Sequence, residues 1–178
     1  MLISECGEEV DMIFKNLCID EVESFWEFLN ALDKETNYMM YEPNEREQRT
    51  NLKELEADIW NNVLEGNDFL QIAVEDDKII GYIRAERGKY HRISHTAYIV
   101  VGIRKDYRRK GIGTTFFKNL DIWAKENSIL RLELTVECHN KAARYLYEQS
   151  GFAIEGIRKR SMHIGKEFMD EYYMAKML

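Results

Sequence analysis

The sequence predicts an α/β (α+β) fold, with a mixed and mostly antiparallel sheet of about six to seven strands and about four flanking helices. Apolar residues recur at helical spacing in the first third of the chain, and they alternate with polar residues from Phe69 onwards. Two further helical stretches interrupt the later strands, which is typical of packed layers of helix and sheet. With 178 residues, 45% of them hydrophobic, we expect a single domain over 1–178.

Residues 1–68 are predicted to be mainly helical. Each of two helices places its apolar residues on one face: Phe25, Phe28, Leu29 and Leu32 within Glu21–Leu32, then Leu52, Leu55, Ile59, Trp60 and Val63. Between them lies an irregular, aromatic-rich link, Tyr38–Glu45, which contains the only proline. Such a link either lines a binding site or packs on the core, and both interpretations stay open.

The rest of the chain alternates strands and helices. Phe69–Glu75 and Ile79–Arg87 are predicted to form a hairpin around the turn Asp76–Lys78. Four more strands are predicted, at Ser94–Ile103, Leu130–Val136, Ala153–Arg160 and Glu171–Met177, with helices at Thr114–Asn127 and Asn140–Gln149.

The charge balance narrows the classes of function. The chain has 25 Lys and Arg against 32 Asp and Glu, which gives a net charge of −7. A general nucleic-acid binder needs a basic surface, so we expect no nucleic-acid partner. The acidic balance slightly favours a cationic substrate, such as an amine.

Cysteine usage and hydropathy indicate the compartment. Cys6, Cys18 and Cys138 are odd in number and widely spaced, so they form no metal-ligand cluster, and we predict no metal site. We interpret them as reduced thiols of a cytoplasmic protein. The N-terminus lacks the basic start and apolar run of a signal peptide, and no apolar stretch has the length of a membrane span. We therefore expect no membrane association.

The strongest functional signal is a cluster of cations followed by two glycines and a helix. Five cations lie within seven positions: Arg104, Lys105, Arg108, Arg109 and Lys110. Glycines let the backbone approach a ligand closely, and the first N–H groups and the dipole of the helix attract an anion. Side-chain cations add charge-assisted hydrogen bonds. We name Arg108–Gly113 the glycine turn and predict that it binds a phosphate.

Two common phosphate-binding motifs do not fit the glycine turn. A P-loop requires a Lys-Ser/Thr pair after its last glycine, but Gly113 is followed by two threonines. The dinucleotide fingerprint requires a third glycine where Phe116 stands. A purely structural, solvated loop is the remaining alternative, and the local charge reversal in an acidic chain counts against it.

The turn resembles the signature of a known superfamily. Arg108-x-x-Gly111-x-Gly113 matches the (Gln/Arg)-x-x-Gly-x-(Gly/Ala) signature of the GNAT superfamily of N-acetyltransferases. Other segments resemble the family in the same order: residues 95–103 before the signature, then Leu132–Val136, Asn140, Ala143 and residues 146–152. Asp170–Ala175 resembles the final strand of the branch that acts on ribosomal proteins and polyamines.

This likeness covers residues 69–178, where it implies a core that binds acetyl-coenzyme A (acetyl-CoA), with variable acceptor-side helices in 1–68. It implies that the backbone N–H groups of the turn hold the pyrophosphate: those of Arg109, Lys110, Gly111, Ile112, Gly113 and Thr114, with Arg108 at the first signature position. The preceding strand would splay from its neighbour, so that the backbone at Val101 and Ile103 pairs with the pantetheine arm. Asn140 would bind the pantetheine region.

The resemblance also implies the chemistry. Tyr147 matches the tyrosine that protonates the departing thiolate in many members, as general acid. Some members use a carboxylate on the strand before the signature as general base, but Ser94–Ile103 contains none. His95 has a suitable unperturbed pKa, and Glu42 or Glu45 could act from the aromatic link, so the base stays open among them.

The expected activity is direct transfer of an acetyl group from acetyl-CoA to a primary amine in a ternary complex. The acceptor would be a small molecule or a protein amine. The alternative is a non-catalytic sensor or partner module that binds coenzyme A, and the missing strand carboxylate favours it. The family is also compatible with a homodimer.

Overall fold

A computed structural model describes residues 12–178. Within them are seven strands: β1 Ile13–Asn16, β2 Phe69–Glu75, β3 Lys78–Arg87, β4 Thr96–Ile103, β5 Arg131–Glu137, β6 Ala153–Ile164 and β7 Glu167–Met177. The same part of the chain has five α-helices: α1 Val22–Glu35, α2 Glu45–Arg49, α3 Leu52–Asp58, α4 Ile112–Glu126 and α5 Lys141–Gln149. A π-helical stretch, Ile59–Leu64, continues α3. Cys18 and Cys138 are free thiols, and Cys6 lies outside the described residues.

The strands form one sheet in the order β1-β2-β3-β4-β5-β7-β6. Three of its pairings, β1 with β2, β5 with β7 and β6 with β7, are antiparallel, whereas β4 and β5 are parallel. The predicted fold class, a mixed and mostly antiparallel sheet with flanking helices, is therefore confirmed. No helix in residues 12–178 combines the length and the apolar character needed to cross a bilayer.

The observed elements differ from the predicted ones in several places. A short strand, β1, precedes the helices, and its four residues pair with β2 from Ile13↔Val74 to Asn16↔Gln71. Such a strand is stabilised by its partner and has no alternation of its own to reveal it. β4 begins at Thr96, two residues later than predicted. The final hairpin is longer than predicted, because β6 and β7 continue with largely exposed residues towards their shared turn.

The chain forms two compact units. The first comprises the described residues up to Arg84 together with Val101–Ile112. Its core is built on the apolar face of α1, where the rings of Phe25 and Phe28 meet the Tyr82 ring edge-on at centroid distances of 5.4 and 5.9 Å. A Cβ at Gly102 would lie 2.4 Å from Leu32 Cδ2, so glycine lets β4 approach α1 closely.

The aromatic link of the first unit is held by a buried ion pair. Arg46 donates from Nε to Asp33 at 2.6 Å and from a second nitrogen at 3.2 Å, and Asp33 is only 1% exposed. The Arg46 guanidinium also lies over the Tyr41 ring, 4.5 Å from its centroid. Because removing one partner of a buried pair is costly, this arrangement keeps α2 attached to the end of α1.

The second unit comprises Ala85–Val100 and Gly113–Leu178. Its core is aromatic: the Phe117 ring of α4 meets the rings of Tyr147 and Phe152 at 5.6 and 5.5 Å. β5 contributes Leu132, Leu134 and Val136 from one face, and its alternate residues face the other way. β5 pairs with β7 along its whole length, from Arg131↔Met177 to Glu137↔Glu171.

Candidate active site

The glycine turn connects the end of β4 to the start of α4. A 3-10 turn, Lys105–Tyr107, follows β4, and α4 begins at Ile112. Arg109 and Gly111 have positive φ angles of 63° and 83°. A Cβ at Gly111 would meet nothing within 4 Å, so glycine is needed there for the backbone angle and not for space.

Two of the five cations before the glycines, Arg104 and Arg108, bond to other groups of the protein through their side chains. Arg104 donates to Glu35 at 2.6 Å, and the Lys105 N–H donates to the same carboxylate at 2.9 Å. Arg108 donates from Nε to the Ile103 carbonyl at 3.0 Å. Arg104 and Arg108 thus stabilise the turn itself.

Arg109 and Lys110 remain exposed at the tip of the glycine turn. The Lys110 ammonium lies 4.7 Å from the centroid of the Tyr107 ring, at cation–π distance. This contact positions Lys110 while its charge stays in water, where it can attract an anion.

The start of α4 explains the second glycine of the signature. A Cβ at Gly113 would lie 2.5 Å from Leu146 Cδ2 on α5. Glycine at this position therefore allows the two helices to pack closely. Thr114 is exposed, and the first N–H groups of any α-helix have no acceptor within the helix. The site residues of α4 thus present backbone donors beside a tight helix contact.

β4 pairs with β5 only over its first three residues, before it reaches the glycine turn. Its parallel register with β5 covers three pairs, Thr96–Tyr98 with Arg131–Glu133, although both strands continue further. The burial alternation also shifts by one residue: Ala97 and Ile99 are buried, and then Gly102 is, while Val101 and Ile103 are half-buried. Such a shift is typical of a β-bulge. Val101 and Ile103 thus lie beyond the three residue pairs that join β4 to β5.

α5 carries the other two predicted site residues. Asn140 caps the helix, because its Oδ1 accepts the N–H of Ala143 at 3.1 Å. Sequence reasoning missed this capping role. Tyr147 is 8% exposed, and its ring packs between Phe117 and Phe152, with the Phe152 centroid 6.3 Å away. These contacts fix the orientation of the ring. A fixed orientation is what a general acid requires, but a tyrosine that only packs in the core shows it too.

Of the three candidate bases, His95 and Glu42 lie in exposed positions. His95 is exposed in the turn before β4, not on the strand as predicted, and its carbonyl accepts the N–H groups of Leu130 and Arg131 at 2.8 and 3.1 Å. Glu42 is also exposed, and its N–H donates to Glu45 Oε2 at 3.0 Å. Glu45 in turn pairs with Arg49 at 3.2 Å.

Two buried carboxyl groups, one at the end of β5 and one within β7, were not predicted as site residues. Glu137 and Glu171 are 5% and 6% exposed and are direct partners in the β5–β7 register. Burial, and then the charge of Glu171, raises the pKa of Glu137, while His139 lowers it. We name Glu137 and Glu171 the carboxylate pair. In the sequence, Glu137 directly follows the predicted alternating strand Leu130–Val136. Its pairing with Glu171 depends on the β5–β7 register, which the sequence does not reveal.

Within residues 12–178 no group of three or more His, Cys, Asp or Glu side chains could hold a metal ion. The site residues that the structure describes instead provide a left-handed glycine turn, a helix start and a fixed tyrosine. These groups can bind an anion and exchange a proton.

Comparison with known proteins identifies the family. A model of the acetyltransferase (GNAT) family matches residues 26–152, which is more than half of the chain. The protein therefore belongs to the acetyltransferase (GNAT) family. This confirms the superfamily that the glycine turn indicated.

Individual relatives agree with this assignment. An L-amino acid N-acetyltransferase, AaaT of Escherichia coli K12, is 28% identical over 109 residues, which span 59% of this chain and 65% of that protein. A GNAT-family acetyltransferase structure from Streptococcus pneumoniae is 26% identical, with a TM-score of 0.87 over 94% of this chain and 99% of that one. A phosphinothricin acetyltransferase from Sinorhizobium meliloti, solved with acetyl-CoA, shares the fold at 14% identity, with a TM-score of 0.80 over 94% and 88% of the two chains.

Proposed function

We propose that this protein is an acetyl-CoA-dependent N-acetyltransferase that acetylates an amine in a ternary complex. The observation that carries the proposal is the glycine turn. It has the GNAT signature, and Gly111 adopts the left-handed backbone that leads into α4. Relatives named for N-acetylation, and a structure of the same fold solved with acetyl-CoA, support the choice of donor and reaction.

On this proposal, backbone groups bind the donor. The N–H groups from Arg109 to Thr114 hold its pyrophosphate, and Arg109 and Lys110 attract it from solution. The backbone at Val101 and Ile103, which lies outside the recorded β5 register, pairs with the pantetheine arm. Bound acetyl-CoA supplies the acetyl group as a thioester.

Tyr147 acts on this proposal as the general acid. Its phenol donates a proton to the departing sulfur, which would otherwise leave as a thiolate. The packing of its ring against Phe117 and Phe152 restricts the side chain, so the hydroxyl needs little ordering when the donor binds. Asn140 caps the same helix and offers its amide to the pantetheine.

Replacing Tyr147 by phenylalanine tests this role. The rate of amine-dependent thiol release should fall by about 100-fold, the lower range for losing a positioned acid. Acetyl-CoA affinity, measured by isothermal titration, should stay within about threefold, because the backbone contacts remain. Tyr145→Phe is the matched control: Tyr145 is on the same helix but 64% exposed, and its loss should change neither value.

Two outcomes would contradict the proposal. A folded protein that does not bind acetyl-CoA cannot be an acetyl-CoA-dependent enzyme. A protein that binds acetyl-CoA but releases no thiol with any amine of a broad panel would instead be the non-catalytic coenzyme A sensor. Equal loss of rate in the Tyr145 and Tyr147 variants would remove the general-acid assignment alone.

A further inference from the structure

The two members of the carboxylate pair differ in their side-chain partners. Glu171 accepts a hydrogen bond from the Arg158 guanidinium at 3.1 Å. Within residues 12–178, the buried Oε1 of Glu137 has no hydrogen-bond partner. Of these two register partners, only Glu171 therefore has a guanidinium partner among the described residues. Burying a carboxylate oxygen without a partner is costly, so the position calls for an explanation.

Other buried acids of the described chain are neutralised. Asp33 is 1% exposed and accepts two hydrogen bonds from Arg46. The side chain of Asp68 is 8% exposed and pairs with Arg84 at 3.1 Å. These pairs show the usual solution for a structural carboxylate in this fold. Glu137 has no such cationic partner for its Oε1. A bound ligand with N–H groups would supply the missing hydrogen-bond donor.

Glu137 is placed beside the helix that carries Tyr147. Its carbonyl accepts the N–H of Asn140 at 2.9 Å, and Asn140 is the N-cap of α5. Its side chain belongs to the polar face of β5, together with Glu133 and Thr135, because Leu132, Leu134 and Val136 occupy the other face. The unpartnered oxygen therefore lies on the sheet face away from the aromatic core, at the carboxyl end of a strand.

We propose that the carboxylate pair binds a cationic group of the acceptor, with Glu137 Oε1 accepting a hydrogen bond from an alkylammonium. The proposal rests on the proposed function and specifies its substrate class: an acceptor that enters as an alkylammonium or carries a second one. A bound ammonium group provides three hydrogen-bond donors and a positive charge. It would give Glu137 the hydrogen bond and the opposite charge that Arg158 gives Glu171. Glu137 is thus a specificity-determining residue.

Alkylammonium binding by the coenzyme A complex tests the proposal. Butylammonium, putrescine and spermidine would be titrated into the complex of the wild-type protein and of Glu137→Gln, with 1-pentanol as an uncharged probe. At least one amine should bind about 10- to 100-fold more weakly to the variant, since a charge-assisted hydrogen bond is lost. Glu137→Asp, which keeps the charge, should recover part of the affinity, and 1-pentanol should not distinguish the proteins.

A matched control distinguishes amine binding at the carboxylate pair from attraction to the overall negative charge of the protein. Glu167→Gln removes one negative charge from an exposed position on β7 and should leave amine binding unchanged. An equal loss in both variants, equal binding by wild type and Glu137→Gln, or no binding of any amine would overturn the proposal. Acetyl-CoA titrations of the same samples report on the proposed function independently, because the glycine turn is unchanged in each variant.

Discussion

The glycine turn and the carboxylate pair are proposed to bind charge in opposite ways. The glycine turn is exposed, and its proposed ligand contacts are backbone N–H groups arranged by the φ angle of Gly111. The carboxylate pair is buried, and its chemistry depends on two side chains that a strand register brings together. A site made from local backbone can be recognised in a short stretch of sequence. A site made from side chains of distant strands cannot.

The largest effect should come from forcing a β-branched residue onto the glycine turn. Gly111→Val must adopt a φ near 83°, which is strained for valine, or else move the backbone donors. We expect acetyl-CoA affinity to fall by about 10- to 100-fold, in line with strain of a few kcal/mol. Isothermal titration measures this loss directly.

Gly165→Val provides the control for Gly111→Val. Gly165 also has a positive φ, 60°, and space for a Cβ, but it lies in the turn between β6 and β7. Both variants should lose similar thermal stability, and only Gly111→Val should lose acetyl-CoA affinity. Equal affinity losses would mean that general destabilisation, and not the shape of the turn, explains the effect.

An intermediate effect should appear at the carboxylate pair as a dependence of stability on pH. Burial and Glu171 raise the pKa of Glu137, so the folded chain holds this proton more tightly than the unfolded chain. The stabilisation is complete at acidic pH and is lost as pH rises through the raised pKa. Glutamine cannot ionise, so Glu137→Gln does not lose stability as the pH rises. The variant should therefore melt a few degrees above the wild type at neutral pH.

Thermal melts from pH 4 to pH 8 test this expectation. The advantage of Glu137→Gln should shrink towards pH 4, because the wild-type carboxyl then becomes protonated in the unfolded chain as well as in the folded one. Glu167→Gln, at an exposed position, should show no such trend. A lower melting temperature of Glu137→Gln at every pH would instead mark Glu137 as a structural residue. A more stable variant that binds amines poorly would fit a residue retained for function.

The same contrast explains how much could be predicted from the sequence. The fold class and the position of the glycine turn followed from periodicity and from glycines next to cations, which are local features. The capping role of Asn140, the contact of Gly113 with Leu146 and the Glu35 pair of Arg104 depend on neighbours brought in by folding. For the same reason His95 was predicted on a strand that begins one residue after it.

The smallest effect should come from side-chain charge at the glycine turn. Lys110→Gln keeps the N–H at that position and removes an exposed charge near the Tyr107 ring. We expect acetyl-CoA affinity to fall about threefold at low ionic strength and hardly at all near 1 M salt, where charges are screened beyond about 3 Å. Lys118→Gln, an exposed change on α4, should have no effect. A loss as large as that of Gly111→Val, or one that persists in high salt, would show that Lys110 contacts the ligand directly, and the glycine turn would then depend on side chains as the carboxylate pair does.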